Sequence, residues 1–215
     1  MQIARYASGM AHVNPSRPVV TLVGAGPGAA DLLTLRALHA VQGADVIIHD
    51  ALVCDEVLAL ARPQARLIEV GKRGHRLSTG QDFINRLMVR LAKSGAQIVR
   101  LKGGDPSVFG RAAEERRFLE LAGIDVRVVP GVTTASAAAA QFGFSLTKRG
   151  AAQTVVFATG RTAFGAQNDW RAAADPNATV CLYMGCADIA ATCEQLLARG
   201  RHGDTPRALG FQCWS

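Results

Sequence analysis

Residues 19–28 read VVTLVGAGPG, an apolar run that stops abruptly at a cluster of glycines. A short apolar run bounded by a turn signal is typical of a buried strand. A leucine-rich helical pattern follows, which Asp31 is placed to cap and Gly43 to end. The stretch therefore predicts a strand, a tight turn and a helix, the opening of an α/β fold.

The same alternation of apolar runs and helical patterns continues as far as Val129. Strands that alternate with helices indicate an open, mostly parallel sheet covered by helices. The pattern breaks at Pro130, after which an alanine-rich helix and a smaller set of strands and helices follow. We therefore predict an N-terminal arm (1–18), an N-terminal α/β domain (19–130) and a smaller C-terminal α/β domain (131–215).

Composition excludes several classes of protein. The chain has 215 residues, is 49% hydrophobic and carries a net charge of +7. It has no signal-peptide pattern and no run near the ~20 apolar residues of a membrane span, so we expect a cytoplasmic protein that does not enter a membrane. The positive charge suits an anionic partner, but its scatter argues against nucleic acid. The five cysteines form no CxxC pair, and no metal site is expected.

The first glycine turn leaves three interpretations open. Gly24, Gly26 and Ala29 match the dinucleotide pattern GxGxxA, and Asp45 has the spacing of a ribose-binding acid. Against a dehydrogenase, Pro27 removes a backbone N–H from a turn that would have to hold pyrophosphate. A nucleotide-dependent oxidoreductase, another nucleoside-binding protein and a tight turn without a ligand all fit this motif.

A second glycine cluster is more informative. Residues 100–111 read RLKGGDPSVFGR, with two glycines and an acid at the end of a predicted strand. Ligands in open α/β sheets bind outside the carboxyl ends of strands, and glycine lets backbone approach a ligand closely. Asp105 could meet ribose hydroxyls or an ammonium group. The stretch therefore predicts a ligand-binding loop, although it lacks the Gly-Lys-Ser/Thr of a P-loop.

These motifs occur together with others in the order found in one family. From about residue 19 to 206, the chain resembles the uroporphyrinogen-III C-methyltransferases of the tetrapyrrole methylase family. The segments that carry the resemblance are 23–28, 48–53, 70–74, 100–111, 129–136, 146–149, 159–160, 169–170 and 183–185.

The resemblance implies a two-domain fold with an active site in the cleft between the domains, S-adenosylmethionine as cofactor, S-adenosylhomocysteine as its product, and a homodimer. It also implies that Asp50 is the proton acceptor and Lys72 the proton donor. Arg111, Glu114 and Arg149 match substrate-binding positions, and a polycarboxylate tetrapyrrole would suit the arginines and the +7 charge. The positions that match cofactor contacts are Pro27, Gly103, Gly104, Asp105, Val108, Thr133, Thr134 and Met184.

The chain departs from the family pattern at three places. Lys148 stands where the family usually has His, and Arg161 replaces the His of a Gly-His pair. After Pro206 the family continues through further strands, so we expect an incomplete C-terminal domain. The resemblance implies methylation of uroporphyrinogen III to precorrin-2 by way of precorrin-1, in the synthesis of sirohaem or cobalamin. The alternative is a truncated homologue that binds S-adenosylmethionine or a tetrapyrrole without turnover. An NAD(P)-dependent oxidoreductase is the remote alternative.

Overall fold

The computed structural model describes residues 17–71, 80–160 and 169–209. They form two compact units, the first ending at Thr134 and the second beginning at Ala135. Each unit has its own parallel strands. The predicted site residues fall in both units.

The first unit is built on a five-stranded sheet in the order β3-β2-β4-β1-β5. All of its neighbouring strands run parallel, which confirms the predicted open α/β sheet. β2 and β4 are buried along their whole length, whereas the edge strand β3 is largely exposed, as expected when helices cover the middle of a parallel sheet. The strands are β1 (Val19–Gly24), β2 (Val46–His49), β3 (Arg66–Glu69), β4 (Ile98–Lys102) and β5 (Asp125–Val129).

Four helices cover the two faces of this sheet: α1 (Leu35–Gly43), α2 (Asp55–Leu58), α3 (Gln81–Ala92) and α4 (Ala112–Leu121). Successive residues of a strand point to opposite faces. Ile98 of β4 therefore packs in the core with α3 and α4, and Val99 packs in the core with α1 and α2. The same alternation carries Arg100 and Lys102 to the α3/α4 face.

The predicted cap of the first helix is wrong. Asp31 lies in a single 3-10 turn, Ala30–Leu32, and α1 begins only at Leu35. Thr34 caps α1, because its Oγ1 accepts a hydrogen bond from the backbone N–H of Ala37 at 3.1 Å. The extra turn lengthens the connection that follows the first glycine cluster.

The second unit holds one pair of parallel strands, β6 (Thr154–Thr159) and β7 (Ala178–Tyr183). α5 (Thr134–Gln141) begins at the boundary between the units, and α6 (Arg171–Ala174) and α7 (Ile189–Ala198) follow. The sequence did not predict α6, which is a single turn. Trp170 is buried beside it and donates from Nε1 to Gln195 Oε1 at 2.8 Å, which joins α6 to α7.

The described residues include no helix long and apolar enough to cross a membrane. Within the same ranges, no three His, Cys, Asp or Glu side chains are grouped as metal ligands would be. The four described cysteines are free thiols, and Cys186 is exposed. Burial raises the pKa of the Cys181 thiol.

Candidate active site

Three loops meet at the carboxyl ends of β1, β4 and β5. Gly26 and Gly104 exchange two backbone hydrogen bonds, 3.2 and 2.7 Å long, which join the first two loops. A Cβ on Gly24 would lie 2.6 Å from the backbone nitrogen of Gly131 and 2.7 Å from the carbonyl oxygen of Gly104. The loops therefore touch backbone to backbone, and only residues without side chains allow this approach.

The β4 loop has an open side. Gly104 has a φ of +64°, and a Cβ added there would meet nothing nearer than the Thr134 hydroxyl oxygen at 3.8 Å. Of the eight predicted cofactor contacts, seven lie in or next to these three loops, and Met184 follows β7 in the second unit. The seven are Pro27, Gly103, Gly104, Asp105, Val108, Thr133 and Thr134.

The Asp105 carboxylate accepts hydrogen bonds from the loops around it. Its Oδ2 accepts a hydrogen bond from the backbone N–H of Gly131 at 3.0 Å, and its Oδ1 accepts one from the N–H of Ser107 at 2.8 Å. The Ser107 hydroxyl also donates to Oδ1. The carboxylate thus holds the β4 loop to the β5 loop, and its predicted contact with a cofactor remains a prediction.

Backbone strain is found at three non-glycine positions of the described residues. Among the described residues, the non-glycine residues with positive φ are Phe109 (52°), Arg111 (55°) and Met184 (54°). All three lie at or beside positions that the sequence analysis singled out, which is where such strain tends to be retained. A Cβ on Gly110 would lie 2.7 Å from the carbonyl oxygen of Pro106, so the segment between them is tightly folded.

Asp50 lies at the carboxyl end of β2, with 31% of its side chain exposed. Arg100 Nη2 donates to its Oδ1 at 2.5 Å, and Lys102 Nζ lies 3.9 Å from its Oδ2. Behind these cations stands Glu115, whose side chain is fully buried. We call Asp50, Arg100, Lys102 and Glu115 the charged cluster.

Glu115 is the centre of hydrogen bonding in the charged cluster. It accepts from Arg100 Nε at 3.1 Å, from Lys102 Nζ at 3.1 Å to both oxygens, and from Gln81 Nε2 at 3.1 Å. Two cations and two carboxylates balance in charge, as buried ions must. Burial lowers the pKa of Lys102 and the neighbouring Arg100 lowers it further, whereas Glu115 and Asp50 oppose the shift.

The sequence pattern gave no role to Arg100 or Lys102, and Glu115 was not predicted as a site residue. The sequence did hold a signal for the two cations. β4 is otherwise apolar but carries charged residues at two alternate positions, Arg100 and Lys102. Alternate positions share one face, so the two charges had to be buried together. Glu115 had no comparable signal, since an acid in the first turn of a helix is ordinary.

The residues predicted to bind the substrate are exposed. Arg111 and Glu114 form a two-pronged ion pair, with Nε to Oε1 at 3.0 Å and Nη2 to Oε2 at 2.5 Å. The pair raises the pKa of Arg111 and lowers that of Glu114. Arg149 is exposed in the second unit, in the turn closed by the Lys148 to Ala152 backbone hydrogen bonds. Lys72 lies outside the described residues.

Asp45 lies at the wrong end of the sheet for a ribose-binding acid. It precedes β2, whereas the glycine loops follow the carboxyl ends of the parallel strands. Its carboxylate binds the Arg62 guanidinium and accepts from the backbone N–H of Gln97 at 2.7 Å. This geometry removes the acid on which the dinucleotide interpretation depended.

Comparison with known sequences supports the methylase resemblance. The model of the family described as tetrapyrrole (corrin/porphyrin) methylases matches residues 19–213. A siroheme synthase of Pseudomonas aeruginosa (strain UCBPP-PA14) is 47% identical over 206 residues, which cover 95% of this chain and 44% of that protein. Siroheme synthase 3 of Aeromonas hydrophila is 50% identical over 88% of this chain and 41% of its own length. The chain thus spans less than half the length of these relatives.

Solved structures give the same result. The native uroporphyrin III C-methyl transferase of Thermus thermophilus is 41% identical, with a TM-score of 0.74 over 86% of this chain and 78% of that one. The Thermus enzyme complexed with S-adenosylhomocysteine is 40% identical, with a TM-score of 0.72 over 85% of this chain and 73% of that one. That ligand is the product form of the cofactor implied by the sequence resemblance. The family match, the identities and the shared α/β fold together show that this chain belongs to the tetrapyrrole methylase family.

Proposed function

We propose that this chain transfers methyl groups from S-adenosylmethionine to uroporphyrinogen III and so forms precorrin-2 by way of precorrin-1. The observation that carries the proposal is Asp50, a partly exposed carboxylate that a buried arginine holds at the same end of the sheet as the glycine loops. The Thermus relatives support the choice of substrate, and the siroheme synthases support sirohaem as an end product.

The residues at the three loops fit S-adenosylmethionine. Gly104 presents backbone without a side chain, and the Thr134 hydroxyl lies on its open side. Both can approach a ribose or an amino-acid group closely. We propose that Pro27, Gly103, Val108 and Thr133 complete this binding surface, with Asp105 holding its shape. The resemblance alone carries the proposal that Met184 is also a cofactor contact. When bound, the cofactor supplies an electrophilic methyl group on its sulfonium sulfur.

Asp50 is the proposed proton acceptor. An electron-rich pyrrole carbon forms a bond to the methyl carbon as the carbon–sulfur bond breaks, and the resulting tetrapyrrole cation must lose a proton. A carboxylate within reach can take it, and a positioned base typically contributes ~10²–10⁴-fold in rate. The hydrogen bond from Arg100 to Oδ1 orients the carboxylate and leaves Oδ2 on its other side.

Binding of the substrate carboxylates is assigned to the exposed arginines. Glu114 holds the Arg111 guanidinium by two hydrogen bonds, so its orientation is set before an anion arrives. Planar guanidinium groups bind carboxylates through paired hydrogen bonds, which suits Arg111 and Arg149 to an acid-rich tetrapyrrole. The role of Lys72 as proton donor and the homodimer complete the proposal and rest on the resemblance. The proposed cytoplasmic location rests on the sequence pattern.

Substitution of Asp50 by Asn tests the function. The full chain is incubated with uroporphyrinogen III and methyl-labelled cofactor, and label in the tetrapyrrole is counted. We expect transfer by the parent chain and a ~10²–10⁴-fold slower rate in Asp50→Asn, because the amide cannot take a proton. Affinity for S-adenosylhomocysteine, measured by calorimetry, should stay within about twofold.

Asp45→Asn is the matched control, because Asp45 flanks the other end of the same strand. Its transfer rate should equal that of the parent. Cofactor binding by the parent chain without transfer of label would favour the non-catalytic homologue over the methyltransferase. Full activity in Asp50→Asn would remove Asp50 from the mechanism.

A further inference from the structure

The fully buried Glu115 carries its charge beside the hydrophobic core. It shares one face of α4 with Leu119, which belongs to the hydrophobic core under the sheet. Burying a carboxylate costs free energy that its partners must offset, and apolar replacements of buried ion pairs are often as stable. Packing therefore does not explain why this position carries an acid.

Arg100 connects Glu115 to Asp50 through one rigid group. Its Nε donates to Glu115 at 3.1 Å, and its Nη2 donates to Asp50 at 2.5 Å. Its Nη1 donates to the carbonyl oxygens of Ile48 at 3.4 Å and Leu101 at 3.2 Å. Because all three nitrogens of the planar guanidinium are held, the direction in which Nη2 points at Asp50 is fixed.

Lys102 faces both carboxylates but bonds to one. Its Nζ lies 3.1 Å from each oxygen of Glu115 and 3.9 Å from Asp50 Oδ2, beyond hydrogen-bonding distance. Within the described ranges, no group donates a hydrogen bond to Asp50 Oδ2, because Arg100 donates to Oδ1. That oxygen therefore keeps its lone pairs for another proton.

We propose that Glu115 is a positioning residue for methyl transfer, which holds Lys102 away from Asp50 Oδ2 while Arg100 orients the carboxylate through Oδ1. The inference rests on the proposed function of Asp50 as proton acceptor. In the step concerned, the methylated tetrapyrrole cation gives a proton to Oδ2, so the product becomes neutral and Asp50 becomes the acid form. Without the charge of Glu115, Asp50 is the nearest carboxylate to the Lys102 ammonium, which would then close on Oδ2.

Glu115→Gln tests this in the full chain, because glutamine keeps the size and one hydrogen-bond acceptor but removes the charge. We expect kcat to fall about tenfold or more, since small misplacements of catalytic groups cost up to ~100-fold. KM for S-adenosylmethionine and affinity for S-adenosylhomocysteine should stay within about twofold, because the glycine loops are untouched. A substrate deuterated at its bridging carbons should show a larger isotope effect on turnover than it does with the parent chain.

Glu120→Gln is the matched control on the same helix. Glu120 forms an exposed ion pair with Arg116, and its loss should leave kcat and the isotope effect at parental values. The double variant Lys102→Met/Glu115→Gln supplies a rescue that a purely structural role would not. It removes both charges of one buried pair and leaves Asp50 Oδ2 without a nearby ammonium. Proteins often tolerate the joint replacement of a buried ion pair better than the loss of one partner. We therefore expect kcat to be at least about fivefold above that of Glu115→Gln.

The outcomes separate the two proposals. A parent chain that transfers no methyl group overturns both the function and this inference. An active parent with an equally active, folded Glu115→Gln overturns the inference alone. If Glu115→Gln does not fold, the double variant decides: turnover near that of the parent supports the inference, and a folded double variant that binds cofactor but has lost turnover overturns it.

Discussion

Two aspartates flank the same buried strand, β2, and both bind an arginine. Asp45 precedes the strand and pairs with Arg62, and Asp50 follows it and pairs with Arg100. Their side chains are similarly exposed, at 41% and 31%. The partners differ, because Arg62 is 39% exposed whereas Arg100 is 2% exposed and has Glu115 behind it.

The difference teaches that an aspartate's use depends on the end of the sheet and on the partner behind it. At the amino ends of the strands, Asp45 joins neighbouring connections through Arg62 and Gln97. At the carboxyl ends, where ligands bind in open α/β sheets, Asp50 meets a buried cation and lies on the side of the glycine loops. A buried, charge-balanced group behind a partly exposed carboxylate orients it in a way that the half-exposed Arg62 does not.

Replacing the two arginines should give the largest contrast between the two ends. Arg100→Met leaves Asp50 and Glu115 without their shared partner, and breaking a buried ion pair typically costs about 3–5 kcal/mol. Arg62→Met should change the free energy of unfolding far less, because exposed pairs contribute little. Urea unfolding of the parent and both variants measures this, and equal losses would mean that burial does not distinguish the two pairs.

A glycine at each end gives the next largest contrast. A Cβ on Gly131 would collide with the Gly104 carbonyl oxygen and lie 2.9 Å from Gly24 Cα, whereas a Cβ on Gly43 meets nothing within 4 Å. Gly131→Ala should therefore cost about 1–3 kcal/mol of unfolding free energy. It should also weaken S-adenosylhomocysteine binding, measured by calorimetry, because the loops must separate.

Gly43→Ala is the control for the opposite end, since Gly43 is the last residue of α1 and precedes Asp45. Its φ is not positive, so alanine should leave stability unchanged or raise it by about 0.5 kcal/mol. Unaltered cofactor affinity in Gly131→Ala would mean that the close packing of the three loops is not needed for binding.

Much of the first sheet could be predicted from the sequence, because its strands contain short apolar stretches bounded by breakers. The apolar run that opens at Val19 became β1, and the strand predicted before the second glycine cluster became β4. The cap of α1 could not be predicted from composition alone. Asp31 and Thr34 are both good caps, and the path of the chain after Gly28 decided in favour of Thr34.

The sequence predicted the parts of the candidate site that follow directly from a local motif. It did not predict the parts that depend on how a helix packs on a strand. The glycine loops and Asp50 stand next to strand ends, so the motif and the sheet rule together locate them. Glu115 acquires its position only when α4 packs on β4 and its carboxylate meets Arg100 and Lys102. That meeting depends on the tertiary packing of a helix and a strand, which no spacing along the chain encodes.

The smallest expected contrast concerns the effect of pH on Asp45. The hydrogen bond from the Gln97 backbone N–H, followed by the charge of Arg62, holds the pKa of this carboxyl below its ordinary value of 3.8. Between the lowered pKa and 3.8 the unfolded chain binds more protons than the folded one. The contribution of Asp45 to stability is therefore present above about pH 4 and is lost as the pH falls through the folded-state pKa.

Asp45→Asn isolates this contribution, because the amide oxygen can still accept from Gln97 while the charge is gone. The difference between parent and variant in free energy of unfolding should be constant from about pH 5 to 8 and shrink towards pH 3, as measured by urea unfolding. It should also shrink in 1 M salt, since the pair is exposed. A difference near zero at both pH 3 and pH 6 would mean that Asp45 acts through its hydrogen bond alone, because asparagine keeps that bond. The amino end of β2 would then be held by hydrogen bonding, and charge would matter only at the carboxyl end, where Arg100 and Glu115 are buried.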